Sequence, residues 1–323
     1  MKNRVLYFPY INVPNSAWFT RMLLYWDEVG AIVPYDFIKF PEKLDEHTRS
    51  LVEACLVKQV IPGTHIRKIP SFKESFLKYL ESQDKKTYEK RRKSFKEGYY
   101  SKIHIEKMDK LEYEFEHMGL AKEDESPWWF VEHETAREFM AYLAATLGKL
   151  EELQYDPISD DINHLEHFLH ASKPEKSIEQ KISSLRLEIL EDLFPSPSKP
   201  LKALEISKFK EKHNDKLKAF RRRVEKEIID IINIKDPELK ERRLQIFKDE
   251  SEDAIKEIKE EMEKFGFKGL TLGKLGSIVS SIPGVSSLFG LANAVYDAFK
   301  KEDLNKIDPC FLYAAYAQKN ILE

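Results

Sequence analysis

The chain has 323 residues, 53 of them Lys or Arg and 56 Asp or Glu, for a formal net charge of −3. Its 42% hydrophobic and 12% aromatic content supplies a buried core and excludes a disordered or collagen-like chain. The near balance of charge argues against a uniformly basic nucleic-acid-binding domain, and two distant cysteines, Cys55 and Cys310, against a disulfide framework.

Arg4-Val5-Leu6-Tyr7-Phe8-Pro9-Tyr10-Ile11 is rich in β-formers, with Pro9 favouring an edge or a strand end. Asn15 or Ser16 suits the cap of a helix carrying Trp18, Met22, Tyr25, Trp26 and Val29 at helical spacing. Gly30 is placed to end that helix, and Ala31-Ile32-Val33-Pro34 reads as a short buried strand. Strand, helix and strand in so few residues is the minimum for a parallel crossover. Further strands are predicted at 58–61, 99–105 and 128–131, and helices near 43–57, 71–97, 109–120 and 133–153.

The proline-rich stretch 195–200 cannot continue a helix. Beyond it, Ile206, Phe209, His213, Leu217, Phe220, Val224, Ile228 and Ile231 form a sustained amphipathic stripe. Asp236-Pro237 can start a second helix, striped by Leu239, Ile246, Phe247, Ile255, Ile258, Met262 and Phe265. The two predict an antiparallel hairpin about 40 Å long. The expected fold class is thus α+β and helix-rich. An α/β-type domain with a small sheet spans 1–194, followed by a linker at 195–200 and a long helical hairpin at 201–265. A Gly/Ser-rich helical hairpin and a C-terminal helix complete it at 266–323.

Charge is unevenly spread. The window from Leu275 to Tyr296 has none, and small residues recur four apart there and nearby, as in Gly269, Gly273 and Ser277. Such spacing lets helices approach closely, in membranes and in tight soluble hairpins alike. Pro283-Gly284 divides the run, so neither half reaches the roughly 20 apolar residues of a spanning helix. Gly273, Gly276, Gly284 and Gly290 are the residues predicted to meet a membrane through 270–299 or a protein partner. The alternative is a close-packed hairpin buried against the rest of the chain.

Lys85, Lys86, Lys90, Arg91, Arg92, Lys93 and Lys96 cluster with Tyr88, Phe95, Tyr99 and Tyr100 interleaved. Phosphate contact and base stacking on single strands use this mixture. Lys90, Arg91, Arg92 and Lys93 are its candidate contacts. Lys216, Lys218, Arg221, Arg222, Arg223 and Lys226 form a second cluster. The alternative reading pairs both with acidic stretches such as 112–125 and 249–253. His164 and His167 are candidate metal ligands about 60° apart on a predicted helix, with no third ligand at easy reach. Glu132-His133-Glu134 offers His133 as a general base, or equally a helix cap. The chain has no Walker, dinucleotide or nucleophile-elbow motif, which argues against an NTPase, a dinucleotide enzyme and an α/β-hydrolase. No cofactor is predicted. The first 30 residues show no signal peptide pattern, so a cytoplasmic setting is expected.

The opening Leu6-Tyr7-Phe8-Pro9-Tyr10-Ile11, then Ala17-Trp18, Leu23 to Val29 and Ile32-Val33-Pro34, resembles a bacterial domain family of about 300 residues without an assigned function. The stretches 135–144 and Phe209 to His213 with Leu217, Phe220 and Arg221 are similar to it as well. The resemblance implies a bacterial protein, in a defence-type setting, and carries over no catalytic residue. Within it, the cluster Tyr7, Tyr10, Tyr25, Trp26 and Asp27 is where a site is expected, with tyrosine hydroxyls serving the Asp27 carboxylate or a core network. Two functions follow as expectations: a non-enzymatic effector or interaction protein with a protein partner or a second copy of itself, or a nucleic-acid-binding protein or nuclease.

Overall fold

The computed structural model describes residues 3–160, 185–186, 189–190, 193–195, 197 and 201–270. The chain is α+β and rich in helix, with a parallel and an antiparallel sheet. The Gly/Ser residues Gly273, Gly276, Gly284 and Gly290, and His164 and His167, lie outside the described residues.

The parallel sheet has the order β3-β2-β1-β7, from β1 (Arg4–Tyr7), β2 (Glu28–Ile32), β3 (Val57–Val60) and β7 (Asp156–Ile158). Period-two alternation splits the core across it. Val5, Tyr7, Val29 and Ala31 pack into one apolar cluster, and Leu6, Phe8 and Ile32 into the other. A sheet covered on both faces explains why β1 is apolar from Val5 to Tyr7. The first cluster holds α1 (Ala17–Tyr25) and α3 (Glu46–Glu53); the second holds α5 (Phe72–Glu81) and α8 (His133–Lys149). Strands β1, β2 and β3 run outward in one direction, and the chain then returns to the other side of β1. The strand order therefore reverses between β1 and β7, and the Tyr7 hydroxyl donates to Asp160 Oδ1 at 2.9 Å beside that point.

The expected crossover is present, with β1 and β2 parallel. Ser16 is the cap, accepting from the Phe19 N–H. The helix stops at Tyr25, however, and Val29 and Gly30 belong to β2. Cations from a distant helix end it early, as described below. Gly30 is small because a Cβ there would lie 3.1 Å from both Leu6 Cδ1 and the Tyr155 ring. The helix expected over 71–97 is two, α5 and α6 (Lys85–Lys96), because Asp84 accepts from the Thr87 N–H and starts a new one. Two short strands, β7 and β5 (Ala121–Glu123), carry few β-formers and are held by strand pairing together with burial of Ile158 and Ala121.

The long hairpin consists of α9 (Ala203–Ile232) and α10 (Pro237–Lys264), capped by Asp236 as expected. All eight stripe residues of α9 are buried. Cross-pairs Lys216–Glu257 at 2.5 Å, Arg223–Glu250 at 3.4 Å and Arg243–Glu227 at 2.5 Å show the helices antiparallel. On α10, Phe247, Ile255, Ile258 and Met262 are buried, whereas Leu239 and Ile246 near the bend are exposed. The hairpin lies on α1, sharing its core through Tyr25, Phe194 and Phe220.

Candidate nucleic-acid interface

The antiparallel sheet has the order β4-β6-β5, with β4 (Tyr100–His104) and β6 (Trp128–Glu132). Its register pairs Tyr100 with Glu132, Lys102 with Phe130 and His104 with Trp128, while Lys122 of β5 pairs with Phe130. Alternation turns Ile103, Trp129, Val131 and Ala121 into the core. Tyr100, Lys102, His104, Trp128, Phe130 and Lys122 therefore share the opposite face.

That face carries a run of rings. Phe95, at the end of α6, meets Tyr100 at 6.0 Å, and Tyr100 meets Phe130 at 4.3 Å. At the other end, Trp128 and His104 meet edge to face at 5.2 Å, with Phe37 of α2 (Tyr35–Lys39) against both. Lysines lie over the rings: Lys102 Nζ is 5.0 Å from the Phe130 centroid, and Lys122 Nζ is 5.3 and 5.4 Å from Phe130 and Tyr100. Asp124 holds Lys102 at 2.6 Å and raises its pKa. Tyr99 is 64% exposed beside the face. Flat rings with ammonium groups at their faces can stack bases and meet phosphates together.

Helix α6 adds charge. Lys86, Lys90 and Lys93 recur at i, i+4 and i+7 and are exposed. Lys93 also lies 3.7 Å from Glu97. Arg91 departs from the expected role. It is buried, with two prongs on Glu138 at 2.9 and 2.7 Å and a third contact to Thr135 Oγ1 at 3.1 Å. Burial works against the Arg91 cation, and the Glu138 carboxylate overrides it. Arg92 is tied to the Met118 carbonyl at 2.7 Å, with its guanidinium 4.7 Å from the Tyr88 ring. Of the four candidate contacts, Lys90 and Lys93 are placed for an exposed anion.

Half of the second basic cluster, Lys216, Arg221 and Arg223, is paired with other elements of the fold. Lys216 and Arg223 pair with α10, the latter with Glu250 of the acidic stretch at 249–253. Arg221 bonds the Tyr25 carbonyl at 2.7 Å and the Asp27 carboxylate, while Lys210 donates to the Leu23 and Trp26 carbonyls at 2.6 and 3.0 Å. These cations close the carboxyl end of α1. Burial, with Arg221 nearby, lowers Lys210 to a pKa of about 8.

The expected site around Asp27 is dispersed. Asp27 follows α1 and is served by Arg221, not by tyrosines. Tyr25 donates to Glu225 at 3.0 Å, Tyr7 to Asp160, and Tyr10 is 53% exposed. Burial, then Glu225, raises the Tyr25 pKa. His133 opens α8 with its Nδ1 2.9 Å from Ser101 Oγ, and Glu132 caps the helix by accepting from the Thr135 N–H at 2.8 Å. Asp27 and His133 thus sit on different elements with different partners. Among the described residues no group of three or more His, Cys, Asp or Glu is placed to hold a metal ion. None of the described helices is long and apolar enough to cross a membrane.

The sequence reasoning missed Lys102, Lys122, Trp128 and Phe130. The signal for them is alternation in Tyr-Ser-Lys-Ile-His and Trp-Trp-Phe-Val-Glu, which becomes a shared face once the two strands are paired. Searches of protein-family models, of curated proteins and of solved structures found no match for this chain.

Proposed function

We propose that this protein binds single-stranded nucleic acid across the open face of the β4-β6-β5 sheet, with α6 supplying phosphate contacts. The observation that carries this reading is the Tyr100–Phe130 ring pair with Lys102 and Lys122 over it. Stacking of a base on such a ring contributes about 1–3 kcal/mol and tolerates any sequence. Lys86, Lys90 and Lys93 form a ladder of positive charge along the exposed side of α6, whose last turn meets the ring run through Phe95. A net charge of −3 is compatible with this, because charge is unevenly spread along the chain and the exposed Lys86, Lys90 and Lys93 are basic locally. Fluorescence anisotropy with short labelled oligonucleotides at several salt concentrations tests it. Salt-sensitive binding of single strands, outcompeting duplex of equal length, is expected. Absence of binding at micromolar protein and low salt overturns it.

A protein-interaction role is a second reading, favoured by the bend of the hairpin. Ile229 and Leu239 flank it at 56% and 57% exposure, where apolar side chains gain most from a covering surface. Sedimentation measurements on the unmodified chain and on Ile229→Glu with Leu239→Glu test for self-association. A monomer at all concentrations in both removes the second-copy form of this reading. A cytoplasmic, reducing setting goes with either proposal, in keeping with two cysteines in the whole chain.

A further inference from the structure

The antiparallel sheet ends on β4, and its register decides which main-chain groups of that strand are used. The Ile105 N–H donates to the Pro127 carbonyl at 2.9 Å and the His133 N–H to the Tyr99 carbonyl at 3.2 Å, so the odd-numbered residues of β4 turn to β6. Tyr100 and Lys102 therefore turn their N–H and C=O groups outward. Among the described residues no hydrogen bond reaches those outward groups. On its other side β6 is closed by β5, with the Glu132 N–H donating to the Leu120 carbonyl at 2.7 Å.

This edge is open and unbroken. β4 pairs with β6 over five consecutive residues, with no bulge and no proline. The other sheet margins are shorter: four residues in β3, three in β5, and three in β7 with Pro157 among them. Tyr100 is 37% exposed and the Lys102 side chain 57%. A lysine on an edge strand commonly guards it against another chain. Here Asp124 draws the Lys102 ammonium inward over the Phe130 ring, 2.6 Å from the carboxylate, and the edge is left uncovered.

Donors and acceptors alternating along a strand edge match the main chain of another extended segment. Charge selects its chemistry. Exposed Lys102 and Lys122 stand on the adjoining face, and exposed Lys96 ends the helix that meets Tyr100 through Phe95. A second copy of β4, Tyr-Ser-Lys-Ile-His, brings further lysine and no carboxylate, so like charge disfavours it. We infer that β4 accepts an extended acidic segment of a partner protein as a fourth strand. An Asp or Glu lies opposite Lys102, and a β-branched or aromatic residue opposite Tyr100. This edge site does not depend on the nucleic-acid reading of the sheet face.

Two measurements test it on the full chain. Amide hydrogen exchange is followed by NMR with and without a short peptide of alternating Thr and Glu. Anisotropy compares that peptide, labelled, with its counterpart of alternating Thr and Lys. In the free protein the Tyr100 and Lys102 amides are expected to exchange faster than those of Ser101 and Ile103, and the acidic peptide to slow them by about tenfold or more. The acidic peptide is expected to bind about tenfold more tightly than the basic one. Lys102→Ala should weaken it, and Lys102→Pro, which removes an outward N–H and no bond to β6, should abolish it. Tyr100 and Lys102 amides that the acidic peptide leaves unchanged at millimolar concentration overturn the docking edge. Equal affinities for the two peptides overturn its acidic occupant. A dimer in sedimentation with both amides already protected gives the edge to a second copy and overturns the partner strand.

Discussion

Arg91 Nη2 lies 2.7 Å from Glu138 Oε1 and Nη1 lies 2.9 Å from Oε2, a two-pronged ion pair buried between α6 and α8. The pair decides which side of α6 faces water. With Arg91 turned inward beside Tyr88, helical periodicity sends Lys86, Lys90 and Lys93 outward. One buried arginine thus orders the exposed lysines that the proposed interface uses.

Breaking that pair is expected to be costly. Arg91→Met leaves Glu138 charged in the core and should lower stability by about 3–5 kcal/mol. The double variant Arg91→Met with Glu138→Leu should recover most of the loss. Urea unfolding of the three proteins checks this, and a single variant as stable as the parent refutes it.

On the sheet face, Phe130→Ala and Tyr100→Ala should each weaken single-strand binding by about 1–3 kcal/mol. Reversing Lys90 and Lys93 to Glu should instead flatten the salt dependence, by roughly 0.7 in slope for each lost phosphate contact. Anisotropy at a series of salt concentrations separates the two effects. An Arg92→Ala change should matter less, since that side chain is held by the Met118 carbonyl.

His104 gives a pH signature. Its folded pKa is about 4 against a reference of 6.5, so between these values the unfolded state binds more protons. Stability therefore falls as pH drops from 6.5 toward 4, by up to about 3 kcal/mol. The difference between parent and His104→Phe stability curves isolates this contribution from the carboxylates. A difference that does not change over that window contradicts it.

Lys107 and Lys210 have the same sign at higher pH. Both have lowered folded pKa values, about 7 and about 8, against 10.5. The unfolded chain keeps its protons longer, so each adds stability as pH rises from its folded value toward 10.5. Chemical denaturation between pH 7 and 10 in the parent and in Lys210→Met should show the rise shrink in the variant.

Gly148→Ala should destabilise by about 1–3 kcal/mol, despite alanine's helical preference. A Cβ there would lie 2.3 Å from the Tyr155 carbonyl oxygen, a backbone atom that cannot move aside without disturbing β7. Lys216→Ala, which removes an exposed pair with Glu257, should cost less than about 1 kcal/mol. Thermal unfolding of the two variants ranks them.

Much of the fold is legible in local patterns. The stripe from Ile206 to Ile231 is buried at every position named, because a helix that must bury one face repeats its apolar residues at the helical period. The parallel crossover at the N-terminus, the strands at β3, β4 and β6, and the Asp236-Pro237 start follow from equally local signals. The candidate site was half legible. The basic and aromatic mixture at 85–100 marks the region, but composition cannot say which cation turns inward. Val29 shows the same limit: helical spacing includes it, yet Lys210 and Arg221 cap the carbonyls that end α1 before it is reached.

By itself, the sequence determined the class of the protein, its long hairpin and the place where lysines and rings are concentrated, because period and composition are properties of neighbouring residues. Only the tertiary structure decided that Arg91 is a core cation, that Asp27 answers to Arg221, and that Lys102, Lys122 and Phe130 share one face with His104. Each of those facts depends on a partner brought close by folding. Charge pairing, burial and strand register act through space, and no local pattern encodes the partner's identity.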